Sequence, residues 1–139
     1  MSISLKELLD GNIITDLSIA QQHNLEELLI KINKIRTTWG KPMIVTSGVR
    51  QLQDHLRIYS QLAAQKGVPF NRDKVPMGSW HLKAGAVDIS DPDGSLHDWC
   101  KKNIKILEDV GLWCEEKDEQ RRVHFQIRPP ASGKRFFYP

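Results

Sequence analysis

Two short apolar runs, each broken by a side chain able to bind a metal ion, constrain this chain most. Ala86-Val87-Asp88-Ile89 sets a carboxylate among apolar residues, and Val123-His124-Phe125-Gln126-Ile127 does the same with an imidazole. Both runs predict β-strands, in which successive side chains point to opposite faces. Gly85, Val87 and Ile89 then share one face, and Ala86 and Asp88 the other. In the second run Val123, Phe125 and Ile127 oppose His124 and Gln126. A carboxylate beside such a core needs a strong partner, because burying it unpaired is costly. A divalent cation meets that need. With His81, at the end of a long loop, the set becomes two imidazoles and a carboxylate. Three such ligands leave a fourth tetrahedral position open for water, as in catalytic rather than structural zinc sites. The plain alternative is a hydrogen-bonded strand histidine and an aspartate that caps a turn.

The 139 residues suit one domain, 1–139, and the 40% hydrophobic and 27% charged residues are those of an ordinary globular chain. No apolar run approaches the roughly 18 residues of a membrane span. The first nine residues lack the apolar centre of a signal peptide, so cytoplasmic synthesis is expected, with any work outside the cell following release. Cys100 and Cys114 have no CxxC spacing and read as free, partly buried thiols. The net charge of +3 comes from scattered residues; pairs such as Lys101-Lys102 and Arg121-Arg122 read as solvated surface, with no indication of a nucleic-acid partner. A monomer is expected.

Asn24 with Glu27 reads as a capping box opening a helix through Leu25, Leu28, Leu29, Ile32 and Ile35, which Gly40 and Pro42 stop. Met43–Thr46 predicts a buried strand. A second helix starts near Gln51 or Asp54, with Leu52, Leu56, Tyr59, Leu62 and Ala63 on one stripe, and ends at Gly67. Residues 68–79 form a long loop, a length that usually marks function. After the Ala86–Ile89 strand, Ser95 with Asp98 opens a third helix, burying Leu96, Trp99, Ile106 or Leu107, and Val110, and ending at Gly111. Strands near 112–115 and 123–127 form an antiparallel hairpin, and residues 129–133 wrap the surface. The expected class is α+β: a small antiparallel sheet with helices packed on one side.

The stretch from Ser79 through His81 to Ala86-Val87-Asp88, with the later Val123-His124-Phe125, resembles the zinc D-Ala-D-Ala carboxypeptidases. That family includes vancomycin-resistance dipeptidases and L-Ala-D-Glu peptidase endolysins of bacteriophages, and shares a small α+β fold with the zinc domain of hedgehog proteins. Its motif Ser-x-His-x-x-Gly-x-Ala-x-Asp is matched at Ser79, His81, Ala86 and Asp88, while Ala84 holds the glycine position and Gly85 follows it. Thr46-Ser47-Gly48-Val49-Arg50 is similar to the family's Ser-Gly-Tyr-Arg, with Val49 in place of the aromatic residue. Gly111-Leu112-Trp113, Val123 to Pro130 and Ser132-Gly133-Lys134-Arg135 look like a phage or prophage branch. The resemblance runs from about Pro42 to Pro139.

It implies one Zn²⁺ per chain on His81, Asp88 and His124, a peptidoglycan stem peptide as substrate, and action on the cell wall after release or within a phage particle. In the family a Glu three residues before the last His serves as general base, but here that position is Arg121. Among Glu115, Glu116, Asp118 and Glu119, strand alternation favours Glu115, which shares a face with Trp113 while Glu116 points away. Its ordinary alternative is a cross-strand partner for an arginine. Arg50 is implied to bind a substrate carboxylate or the oxyanion. Ser79 either binds substrate or holds the His81 loop, and Trp80 shapes the cleft. His23, His55 and His97 read as surface histidines of amphipathic helices, although Gln53 and His55, one turn after Arg50, could face the site. Two other functions compete: a non-catalytic zinc-binding wall or virion module, and a metal-free interaction protein.

Overall fold

An interior strand of the sheet carries Asp88, with a paired strand on either side of it. The computed structural model describes residues 2–75 and 77–139; Met1, and Pro76 of the expected loop, lie outside the described residues. Five strands, β1 (Val45–Ser47), β2 (Ala86–Ser90), β3 (Trp113–Glu115), β4 (Arg122–Gln126) and β5 (Phe136–Phe137), form one sheet in the order β1-β2-β4-β3-β5. β2 pairs antiparallel with both β1 and β4, and Asp88 lies directly opposite His124. The expected hairpin is present, with Trp113 opposite Gln126 and Cys114 opposite Phe125. β5, which the sequence pattern does not suggest, runs parallel to β3. The fold is therefore α+β with a mixed sheet, and the expectation of a purely antiparallel one is corrected.

Alternation sorts the two faces. Val87, Ile89, Cys114, Val123 and Phe125 belong to the hydrophobic core, together with Leu25, Leu28, Ile32 and Ile35 of α2 (Ile19–Trp39). Asp88, Glu115, His124 and Gln126 occupy the other face. Each fully buried aliphatic side chain contributes about 1.5–3 kcal/mol. The partly exposed pairs that Glu27 of this helix makes with Arg128 and with Lys31 are each worth roughly 1 kcal/mol or less, so burial, not ion pairing, seats α2.

Several helix ends differ from the expectation. Ser18 and Gln21 form the capping box of α2, not Asn24 and Glu27; Asn24 sits inside the helix and donates to the Lys83 carbonyl at 3.0 Å. Gly40, at φ 76, ends it as expected. A short α1 (Leu5–Leu9), capped by Ser4 and Glu7, was not anticipated. The predicted third helix is two, α4 (Ser95–Lys102) and α5 (Ile104–Val110), broken at Asn103, whose φ −120, ψ 38 is non-helical. Its start is capped by Asp91, whose carboxylate accepts the Leu96 and His97 N–H groups at 3.0 Å. In α3 (Leu52–Gln65) the apolar stripe stays partly exposed, and His55 is the buried residue instead. No helix among the described residues is long and apolar enough to cross a membrane.

Gly48 shows how tightly α1 is set against the end of β1. A Cβ there would overlap the Leu8 carbonyl, which accepts the neighbouring Val49 N–H at 2.8 Å. Gly48→Ala should therefore destabilise the protein by about 1–3 kcal/mol in urea unfolding. Gly78→Ala, with nothing within 4 Å and no left-handed backbone, should stay near the parent. Equal midpoints for the two variants would show that this packing is not tight.

Candidate metal centre

His81, Asp88 and His124 converge, all three buried, with their candidate ligand atoms within 4.8 Å of one another. Asp88 Oδ1 lies 3.2 Å from His81 Nε2 and 2.9 Å from His124 Nδ1. Ligands on bonds of about 2.0–2.1 Å to a tetrahedral zinc stand about 3.3 Å apart, so the two separations at Asp88 are close to those of a coordinated set.

The outer nitrogens settle what the inner ones offer. His81 Nδ1 lies 2.8 Å from the Gly48 carbonyl, which can only accept, so Nδ1 carries the hydrogen. His124 Nε2 donates to Gln126 Oε1 at 2.8 Å, and the Gln126 amide is oriented by its own donation to the Arg128 carbonyl at 2.9 Å. Both imidazoles are thus held as metal ligands usually are, with the second nitrogen donating to a fixed acceptor. Two nitrogens that are bare in the neutral rings then face one carboxylate oxygen. A proton or a metal cation must stand between them, and the group can hold a metal ion.

Burial alone would raise the Asp88 carboxyl, but hydrogen bonds from His124 and His81 outweigh it and hold the group well below the usual carboxylate range. Burial likewise works to lower His124, yet the bond to Asp88 and the charge of Glu115 leave it raised. The site favours positive charge at its centre.

Local backbone explains the placement. His81 sits in a turn whose N–H meets Ser79 Oγ at 3.3 Å, so Ser79 holds the His81 loop. Ala84 adopts φ 61, the left-handed conformation glycine tolerates best, at the position where the resembled motif carries glycine. Gly85 follows because a Cβ would stand 2.8 Å from the Trp80 ring and 3.1 Å from Ile127. The ligands open into a cleft of about 740 Å³ that Arg50, Ser79, Trp80 and Glu115 also line. A smaller apolar pocket of about 250 Å³ between α3 and residues 68–75 contains none of the ligands.

The other candidates separate clearly. Glu115 lies in the cleft, its Oε2 3.9 Å from His124 Nδ1 and its Oε1 3.5 Å from Arg122. It is therefore both near the ligands and an arginine partner. Glu116 points elsewhere, paired with Lys101 at 2.5 Å, and Asp118 and Glu119 are exposed in the connecting loop. Arg121 is exposed, at φ 54, and stands apart from the ligands. Arg50 is partly buried and bonded to Ser47 and His55; Gln53 is exposed, as is His23.

His55 and His97 are buried, not on the surface; His97 Nε2 meets the Glu115 carbonyl at 3.2 Å and braces β3. Arg122 is not solvated surface: it contacts Asp88 and Glu115 at 3.5 Å and Asp118 at 3.8 Å. Gln126 orients the His124 ring. Both Arg122 and Gln126 share the His124 face by strict alternation, so that signal was available. Cys100 and Cys114 are free but fully buried; burial pushes the Cys100 thiol up to about 12 and Cys114 well above its ordinary value, so neither is a ready nucleophile. No protein-family model, curated protein or solved structure matches this chain.

Elemental analysis should find one metal ion per chain, lost on His81→Ala, Asp88→Ala or His124→Ala. Gln126→Leu frees the His124 ring and should weaken affinity about 10–100-fold without removing a ligand. Full metal content in any of the three ligand variants would exclude that residue.

Proposed function

We propose that this chain is a zinc metallopeptidase that hydrolyses a peptide bond in the stem peptides of bacterial peptidoglycan. The observation that carries the reading is the Glu115 carboxylate, 3.9 Å from a ligand nitrogen, beside a His-Asp-His set that opens into a cleft. Two imidazoles and one carboxylate suit zinc better than magnesium or calcium, which prefer all-oxygen shells. The order of the Ser-Gly-x-Arg, Ser-x-His to Asp, and Val-His-Phe motifs supports a peptidase of the D-Ala-D-Ala carboxypeptidase kind, and the left-handed Ala84 fits the place of its motif glycine.

When bound, zinc supplies Lewis acidity, polarising a carbonyl and lowering the pKa of a water molecule. Glu115 accepts the proton of the attacking water and returns it to the leaving amine nitrogen, which a carboxylate can do and the guanidinium of Arg121 cannot. Arg50 offers a planar fork of N–H groups to a substrate carboxylate or to the developing oxyanion. Trp80 forms part of the wall against which the peptide lies, and Ser79 keeps His81 in register.

Arg122 favours a second reading. A guanidinium touching both Asp88 and Glu115 suits a quiet, charge-balanced site, as in a non-catalytic zinc-binding wall or virion module. Mass spectrometry of muropeptides incubated with zinc-loaded protein separates the two: cleaved stems are expected, and intact ones would favour the module. Glu115→Gln keeps size and hydrogen bonding but removes basicity. Turnover should fall about 10²–10⁴-fold with zinc retained, while Glu116→Gln stays at the parent rate. Parent turnover by Glu115→Gln would remove it from the mechanism.

A further inference from the structure

We infer that His55 is a positioning residue: its neutral imidazole accepts a hydrogen bond from Arg50 and aims that guanidinium into the cleft. The inference rests on the reading of Arg50 as the substrate-facing group. Arg50 follows β1 and precedes α3, and its backbone N–H donates to the His81 carbonyl at 3.0 Å, so its Cα is tied to the metal-binding loop. The long side chain still needs fixing, because a guanidinium recognises a carboxylate or oxyanion well only when its fork is oriented.

Two elements supply the fixing. NH2 donates to Ser47 Oγ of β1 at 3.2 Å, and NH1 meets His55 Nδ1 of α3 at 3.2 Å. Arginine has donors only, so His55 must be the acceptor there, with Nδ1 bare and the hydrogen on Nε2. A doubly protonated ring would present a donor and a like charge to Arg50. His55 is fully buried, unlike every apolar residue of its helix, and Tyr59, one turn later, packs at 4.9 Å between ring centroids, restricting the imidazole. Two of the five guanidinium N–H groups are used in this way. The Nε–H is buried with no partner among the described residues. The fork is anchored at two corners and retains donors for a third party.

The test compares His55→Leu, which keeps volume and loses the acceptor, with His55→Asn, whose Oδ1 stands close to where Nδ1 was. His55→Leu should lower kcat/KM by up to about 100-fold with zinc content unchanged, and His55→Asn should recover most of it. In an Arg50→Ala background, His55→Leu should cost nothing further. Parent turnover by a folded, zinc-loaded His55→Leu, or an equal loss in the Arg50→Ala background, would overturn the inference. Should His55→Leu not fold, His55→Gln takes its place: its acceptor lies one methylene farther out, and activity equal to His55→Asn would contradict positioning. If the parent protein cleaves no muropeptide, the proposed function fails and nitrogen NMR of the His55 ring still decides this point. The expected spectrum has an unprotonated Nδ1 whose signal moves in Arg50→Ala; a signal indifferent to that change would refute the contact.

Discussion

The structure turns on one oxygen atom. Asp88 Oδ1 faces a nitrogen from each of two imidazoles, deep in a sheet whose opposite face is the hydrophobic core. An ionised carboxylate so placed cannot rely on water, and its stability depends on positive charge arriving from the two rings or from a metal ion. The surroundings are built to keep it that way. Gly48 and Gln126 fix the two rings from behind, and Arg122 adds a guanidinium at 3.5 Å from the same oxygen.

That arrangement joins distant parts of the chain. The His81 loop is held by Gly48, Gly48 is pressed against α1, and Arg50 is bonded to the loop through its backbone. β4 brings His124 opposite Asp88, and β3 adds Glu115 beside both. The Gly48 carbonyl and the Arg50 backbone N–H thus tie the His81 loop to the end of β1, and Arg50 in turn reaches His55 of α3.

Much of this was legible in the sequence because strand alternation is strict. A carboxylate in Ala86–Ile89 and an imidazole in Val123–Ile127 had to share the face their apolar neighbours avoided, and the hairpin then carried Glu115 to them. The same rule, applied two residues either side of His124, pointed to Arg122 and Gln126, whose roles depend on partners that alternation cannot name. The helices misled for a different reason. In α3 the stripe Leu52, Leu56, Tyr59, Leu62 has helical spacing, but the side chain actually withdrawn from water is His55, because tertiary hydrogen bonding to Arg50 outweighs the pattern. Asn24 and Glu27 imitate a capping box, yet Ser18 and Gln21 form one six residues earlier, and the helix takes the longer span. β5 escaped notice since two residues carry no periodicity.

A metal cation bound at this centre would replace hydrogens shared between Asp88 and the two histidines. Calorimetric titration of the metal-stripped protein with zinc at pH 7, repeated in buffers of different ionisation heat, measures both stoichiometry and protons released. The expected result is saturation at one ion per chain with release of about one proton or more, since ligands must be deprotonated to bind. Absence of saturable binding, or binding at one ion per chain with no proton released, would contradict it.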